Sequence, residues 1–127
     1  MPVRLLVVDD AMIIRELIKE AAAEAGMEVV GEADNGQVAI DQYRALRPDV
    51  VTLDLVMPKF DGLHALSGIL EFDAQARIVV VSALEQTAIL KEAFRKGAAD
   101  FITKPFDKRI LVATLENVVN SGAAAAR

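Results

Sequence analysis

Three aspartates, a serine and a lysine stand at the ends of four short, mostly apolar runs of this chain. Leu5-Leu6-Val7-Val8 stops at Asp9-Asp10, and Val50-Val51-Thr52-Leu53 stops at Asp54. Ile78-Val79-Val80-Val81 stops at Ser82, and Phe101-Ile102-Thr103 stops at Lys104-Pro105. If these runs are parallel strands of one sheet, all the polar groups open onto its carboxyl edge, where open α/β sheets bind their ligands. Two like charges ~4 Å apart at an effective dielectric of 20 cost about 4 kcal/mol. Such a cluster is relieved by protonation or by a cation. The chain has no cysteine and a single histidine, His64, so the available ligands are oxygens and the ion is a hard one. Magnesium fits best, because it takes one or two carboxylates, keeps waters and recruits phosphate. Lys104 is a counter-charge to the acids and a binder of phosphoryl oxygen.

Each residue also has a purely structural role to weigh. An Asp after a strand caps the first amides of the next helix, which accounts for one of Asp9 and Asp10 but not for two adjacent charges. Asp54 could close an Asx turn, yet it lies between Leu53 and Leu55-Val56-Met57-Pro58, where a carboxylate is desolvated. Ser82-Ala83-Leu84-Glu85 matches a capping box. Lys104-Pro105 could be a plain surface turn, with a cis proline. His64 reads as a solvent-facing helix residue, and Lys91, Arg95 and Lys96 as a solvated helical face.

The elements that must position these groups follow from the hydrophobic pattern. Strands are expected at 3–8, 27–31, 50–54, 77–82 and 100–103, and helices at 12–25, 37–46, 63–71, 86–96 and 107–120. The strands are too apolar to have a wet face, as in parallel sheets buried on both sides. Gly26 and Gly97 stop two of the helices, and Arg47-Pro48-Asp49 breaks another, since the residue before proline avoids the helical region. A strand–helix unit repeated five times implies an α/β fold: a doubly wound, five-stranded parallel sheet with helices on both faces. The expected strand order, 2-1-3-4-5, is that of flavodoxin-like folds and is taken from that precedent.

Bulk properties narrow the function classes. The 127 residues suit one domain, and with 54% hydrophobic residues the chain can bury a substantial core. A net charge of −5 argues against direct nucleic-acid binding and suits protein partners. No apolar run approaches the ~20 residues of a membrane span, and the N-terminus lacks the apolar segment of a signal peptide. A cytoplasmic protein is expected, with residues 1–121 as one domain and 122–127 as a flexible tail or the start of a linker.

Taken together, Val7-Val8-Asp9-Asp10, Asp54 with Met57-Pro58 and Asp61-Gly62, Val81-Ser82-Ala83, Gly97-Ala98-Ala99-Asp100-Phe101 and Lys104-Pro105-Phe106 resemble the receiver domain of bacterial two-component response regulators. The resemblance spans Val3 to about Asn120. The segment from Ser82 to Phe106 is most similar to stand-alone chemotaxis regulators of the CheY type, and Asp49–Asp54 is similar to the receiver of chemotaxis methylesterases.

The resemblance implies that Asp54 is the phosphoacceptor. It implies that Asp9, Asp10, Asp54 and the Val56 backbone carbonyl bind Mg2+, with Asp9 acting through water. Ser82 would bind the phosphoryl group, Lys104 would pair with a phosphoryl oxygen, and Ser82 with Phe101 would form the switch. A histidine kinase is the implied donor, and a downstream protein such as the flagellar switch the implied target, contacted around Lys91, Phe101 and the last helix. Many relatives carry Tyr at the position of Phe101; with no polar tip to satisfy, the Phe101 ring is expected to pack inward. Val56 and Leu84, apolar beside the site, imply slow hydrolysis of the phosphorylated form.

Three rival readings have discriminating features. An Asp-nucleophile phosphohydrolase of the haloacid dehalogenase kind needs an acid two residues after Asp54, where this chain has Val56. A nucleotide-binding fold needs a glycine-rich turn after the first strand, and Asp9-Asp10-Ala11-Met12 has none. A receiver belonging to a larger regulator with a DNA-binding or methylesterase output stays open, given the alanine-rich segment after Gly122.

Overall fold

Continuous apolar strands demand cover on both faces, and the chain supplies it by placing helices alternately on either side of one sheet. The computed structural model describes residues 2–58, 61–83 and 86–125. The order is β1 (Arg4–Val8), α1 (Met12–Glu24), β2 (Glu28–Ala33), α2 (Gly36–Leu46), β3 (Val50–Leu53), α3 (Gly62–Phe72), β4 (Ile78–Ala83), α4 (Thr87–Lys96), β5 (Asp100–Lys104) and α5 (Lys108–Ala125). All strands are parallel and are arranged β2-β1-β3-β4-β5. This is the expected order, and the elements depart from their expected bounds chiefly at the end of β2, which runs on to Ala33, and in α5. That helix continues past Asn120 to Ala125, ending in a run of Ala, the residue of highest helix propensity.

Side chains alternate across the sheet, which divides the core in two. Leu6, Val8, Val51, Leu53, Ile78 and Val80 face α2, α3 and α4, where they meet Ala39, Ile40, Leu66, Ile69 and Ala93. Leu5, Val7, Val50, Val79, Val81 and Ile102 face α1 and α5, where they meet Ile18, Ala21, Leu111 and Leu115. Full burial of each Leu, Ile or Val contributes about 1.5–3 kcal/mol. Register follows from this: a slip by one residue would move every side chain of a strand to the opposite core.

Local signals set the helix ends. Asn35 caps α2 by accepting from the Val38 N–H at 3.0 Å, and Asp61 caps α3 by accepting from the His64 N–H at 3.0 Å. Arg47, before Pro48, closes α2 in the left-handed region with φ 46°. Among the described residues no helix is long and apolar enough to cross a membrane.

Candidate functional site at the carboxyl edge

Parallel pairing of β1 with β3, β3 with β4 and β4 with β5 brings the ends of four strands to one edge. Asp9 follows β1, Asp54 follows β3, Ser82 is the penultimate residue of β4, and Lys104 ends β5. The backbone continues the alignment past the strands, since the Asp54 N–H donates to the Val8 carbonyl at 3.0 Å. Asp9, Asp54 and Ser82 are buried, and Asp10 is exposed at the mouth. One carboxylate oxygen from each of Asp9, Asp10 and Asp54 lies within 4.8 Å of the others.

Lys104 enters this cluster from β5. Its Nζ donates to Asp9 Oδ2 at 2.8 Å and lies 3.6 Å from Asp54 Oδ1. Among the described residues, one ammonium therefore faces a cluster of three carboxylates. Burial pushes the Asp54 carboxyl up, and the neighbouring Asp9 charge raises it further. Lys104 and the Val56 N–H, which donates to Asp54 Oδ1 at 3.3 Å, only partly offset this, so its pKa settles at about 6. A carboxylate set with two buried members and an exposed third, all oxygen donors, fits a hard divalent cation such as magnesium. Asp9, Asp10 and Asp54 are the side chains that would hold it.

The N-cap of α1 is Ala11, and the Asp9 carboxylate accepts from the Ala11 N–H at 2.9 Å, ahead of the first helical amide. Asp9 thus closes a turn and binds Lys104 with its other oxygen. Ser82 is no helix cap: β4 continues through Ala83, and α4 begins at Thr87 with Gln86 as its N-cap residue. The Gln86 side chain reaches back to accept from the Ala83 N–H at 3.1 Å. Leu84 and Glu85, named for slow hydrolysis and for the capping box, lie outside the described residues. The Lys104–Pro105 peptide is cis.

Other expected residues fall where the sequence put them or depart from it for a clear reason. Val56 is 46% exposed beside Asp54. His64 is exposed on α3, with Nε2 3.2 Å from Gln37 Oε1, and Lys91, Arg95 and Lys96 are exposed on α4. The Phe101 ring does not pack inward: it is 41% exposed and meets Phe94 of α4 edge-on, with ring centroids 5.9 Å apart. An apolar ring at this edge strand finds an aromatic partner on α4 and needs no place in the core to be satisfied.

Two residues matter to the site in ways that sequence alone does not assign. Gly62, the first residue of α3, packs against the backbone of Asp54 and Leu55; a Cβ there would sit 2.3 Å from the Asp54 carbonyl oxygen. Its N–H donates to the Leu55 carbonyl at 3.0 Å, so α3 is seated directly on the loop that carries Asp54. The available signal was the Asp61-Gly62 pair, a cap followed by a residue with no side chain. Arg15 of α1 reaches the Asp9 carbonyl oxygen with Nη1 at 2.8 Å. Nothing in the local pattern marks it, because a charged residue on an amphipathic helix is ordinarily solvated.

Comparison with known proteins agrees with this geometry. Residues 5–116 match the response regulator receiver domain family. The chain is 44% identical to the chemotaxis protein CheY of Thermotoga maritima over 115 residues, covering 91% of this chain and 96% of that protein. It is 43% identical to CheY of Bacillus subtilis over 117 residues, covering 92% and 98%. The structure is similar to the Borrelia burgdorferi CheX–CheY–BeF3–Mg2+ complex, with a TM-score of 0.88 and 34% identity over 93% of this chain and 90% of that one. It is also similar to the response regulator domain of Thermotoga maritima CheB, with a TM-score of 0.85 and 36% identity over 94% of this chain and 98% of that one. With a family match over most of its length and an acid cluster opposed by one lysine at the sheet's carboxyl edge, this chain belongs to the response regulator receiver domain family.

Proposed function

We propose that this receiver takes a phosphoryl group from the phosphohistidine of a partner kinase onto Asp54 and acts in chemotaxis signalling. The observation that carries the reading is the setting of Asp54: a buried carboxylate at a strand end, 3.6 Å from the Lys104 ammonium, beside two more acids. In the transfer an Asp54 carboxylate oxygen bonds to phosphorus as the donor's P–N bond breaks, and the departing imidazole takes up a proton. A carboxylate nucleophile of this kind gives an acyl phosphate. Mg2+, held by Asp9, Asp10, Asp54 and the Val56 carbonyl, would supply charge neutralisation at the phosphoryl oxygens. Asp9 holds Lys104 in place, and Lys104 pairs with a phosphoryl oxygen. The chain turns over no separate substrate and acts as a signalling domain.

Ser82 is the candidate reporter. It is buried near the end of β4, in register with Thr103 of β5, and Phe101 lies two residues before Thr103. A hydroxyl drawn to the phosphoryl group would move the end of β4 and, through β5, the Phe94–Phe101 pair on the surface, a local charge event biasing a bistable element. The output partner is a protein that reads this α4–β5 face; the flagellar switch is one such target in a chemotaxis setting, and a cytoplasmic location goes with it. The exposed apolar Val56 offers no hydrogen bond to an attacking water, which fits a long-lived phosphorylated form; a lifetime unchanged in the Val56→Asn, Leu84→Glu double variant would argue against that.

The test is incubation with acetyl phosphate and MgCl2 followed by intact-protein mass spectrometry. One added phosphoryl group is expected in the parent chain and none in Asp54→Asn. Addition that persists in Asp54→Asn, or that proceeds equally in excess chelator, would refute the assignment.

A further inference from the structure

We infer that Arg15 is a positioning residue for the magnesium site, acting through the peptide that joins Asp9 to Asp10. The inference rests on the reading that the acid cluster holds magnesium.

The three carboxylates are fixed to different degrees. Asp9 is held at every polar group of its side chain and by its amide. Its N–H donates to the Ala33 carbonyl at 3.1 Å, one oxygen accepts from the Ala11 N–H at 2.9 Å, and the other accepts from Lys104 at 2.8 Å. Asp54 is steadied by the Val56 N–H and by Lys104. Asp10 differs: it is exposed, and no donor among the described residues pairs with its carboxylate. With no side-chain partner to hold it, what places Asp10 is the backbone, which fixes where its Cα–Cβ bond leaves the chain.

That backbone leaves the sheet at Val8, whose carbonyl is the last of β1 to find a partner across the sheet, the Asp54 N–H. The next carbonyl, that of Asp9, has no backbone donor among the described residues. Arg15 supplies one. Side chains on a helix lean toward its N-terminus, so an arginine one turn into α1 reaches back beneath the acid pair. Nη1 donates to the Asp9 carbonyl at 2.8 Å, and Nε meets Glu32 Oε1 on β2 at 3.0 Å. The side chain is 16% exposed. The guanidinium is a rigid fork, and with one arm on Glu32 it fixes the plane of the Asp9–Asp10 peptide and hence the exit vector of Asp10.

Glu32 has a second role. A bare guanidinium so near the acid cluster would compete with a divalent cation for its field. The Glu32 carboxylate, shared with Lys19 at 2.9 Å, offsets that charge. The outer partners of metal ligands commonly govern affinity in this way, and their loss costs about 10–100-fold.

The experiment is isothermal titration calorimetry of the full chain with MgCl2, with thermal unfolding in chelator as a separate readout of the fold. Arg15→Ala is expected to weaken Mg2+ binding about 10-fold or more, and Arg15→Lys, which keeps the charge and one donor but loses the fork, by an intermediate factor. Lys19→Ala is the control: it breaks the same ion network at Glu32 without touching Asp9, and its Mg2+ affinity is expected to equal that of the parent. If Arg15→Ala unfolds, Arg15→Lys carries the test. Parent-like affinity in the Arg15 variants, or equal weakening in Lys19→Ala, overturns the inference. A parent chain that binds no Mg2+ would instead sink the reading of the acid cluster as a metal site.

Discussion

The two ends of the sheet handle buried polarity in opposite ways. At the amino edge most donors meet acceptors, the buried Arg77 Nε before β4 being one without a partner among the described residues. The Tyr43 hydroxyl donates to Asp73 Oδ2 at 2.8 Å, and Asp73 Oδ1 accepts from the Gln75 N–H at 3.0 Å. The Arg4 N–H donates to Asp49 at 2.8 Å, and its guanidinium to the Arg47 carbonyl at 2.9 Å. Phe72 is flanked by the guanidiniums of Arg44 and Arg47, 5.4 and 4.9 Å from its centroid, with Tyr43 edge-on. Burial and the neighbouring Asp73 hold the Tyr43 phenol well above its ordinary range, so it stays a donor at all working pH values. At the carboxyl edge, among the described residues, carboxylates outnumber their counter-charge, and burial, joined by the neighbouring Asp9 charge, raises the Asp54 carboxyl. The amino edge is built for stability. The carboxyl edge keeps an unmet charge that a cation and a phosphoryl group can satisfy, which is how a site stores affinity at the expense of the free protein.

This contrast can be broken at four points. The largest effect is expected at Asp54. Its carboxyl rises from 3.8 to about 6 on folding, and at 1.36 kcal/mol per unit this amounts to about 3 kcal/mol. A raised acid binds its proton more tightly when folded, so the stabilisation is fully present below pH ~4 and is lost as pH rises through about 6. Urea unfolding in chelator should show stability falling over that window in the parent chain, with Asp54→Asn flattening the slope and gaining roughly 3 kcal/mol at pH 7. An identical slope in both proteins would deny that folding raises the Asp54 carboxyl.

Next is Gly62→Ala. With its Cβ 2.3 Å from the Asp54 carbonyl, backbone must shift, at a cost of about 1–3 kcal/mol. Because the displaced loop carries Asp54, phosphoryl incorporation from acetyl phosphate should slow as well; destabilisation with an unchanged rate would show that the loop recovers its geometry. At the opposite edge, Tyr43→Phe leaves Asp73 Oδ2 without its donor, and a loss of about 1–2 kcal/mol is expected in chemical denaturation, with Mg2+ affinity unaffected. Weakened Mg2+ binding in that variant would mean that the two edges are coupled. The smallest effect is at Thr52. Its hydroxyl is buried in β3 with no partner among the described residues. Thr52→Val, similar in shape and lacking the orphan group, should raise stability by up to about 1 kcal/mol.

The legibility of this chain was uneven for physical reasons. The strands were readable because each is a short apolar run bounded by breakers. The site was readable because charges set directly after apolar runs serve folding poorly: Asp9, Asp10 and Asp54 would repel one another at a shared edge with nothing to bind. Ser82 was ambiguous, since Ser82–Glu85 fits a capping box and only the continuation of β4 through Ala83 excludes Ser82 as a cap. Where the Phe101 ring lies in this structure was not legible, because an apolar tip says nothing about which neighbours are in reach; here it meets Phe94 on α4. Arg15 and Gly62 gave little warning, as their importance lies in which backbone atoms they meet.

Hydrophobic period and strand-end chemistry, both local properties, were enough to determine the element types, the two-sided burial of the sheet and the identity of the acids, serine and lysine at its edge. Their convergence, the setting of Lys104 among the acids and the clamp on the Asp9 carbonyl were decided only by the tertiary structure. Those features depend on contacts between residues up to 95 positions apart, such as Lys104 with Asp9, and no local pattern encodes a distance across the chain.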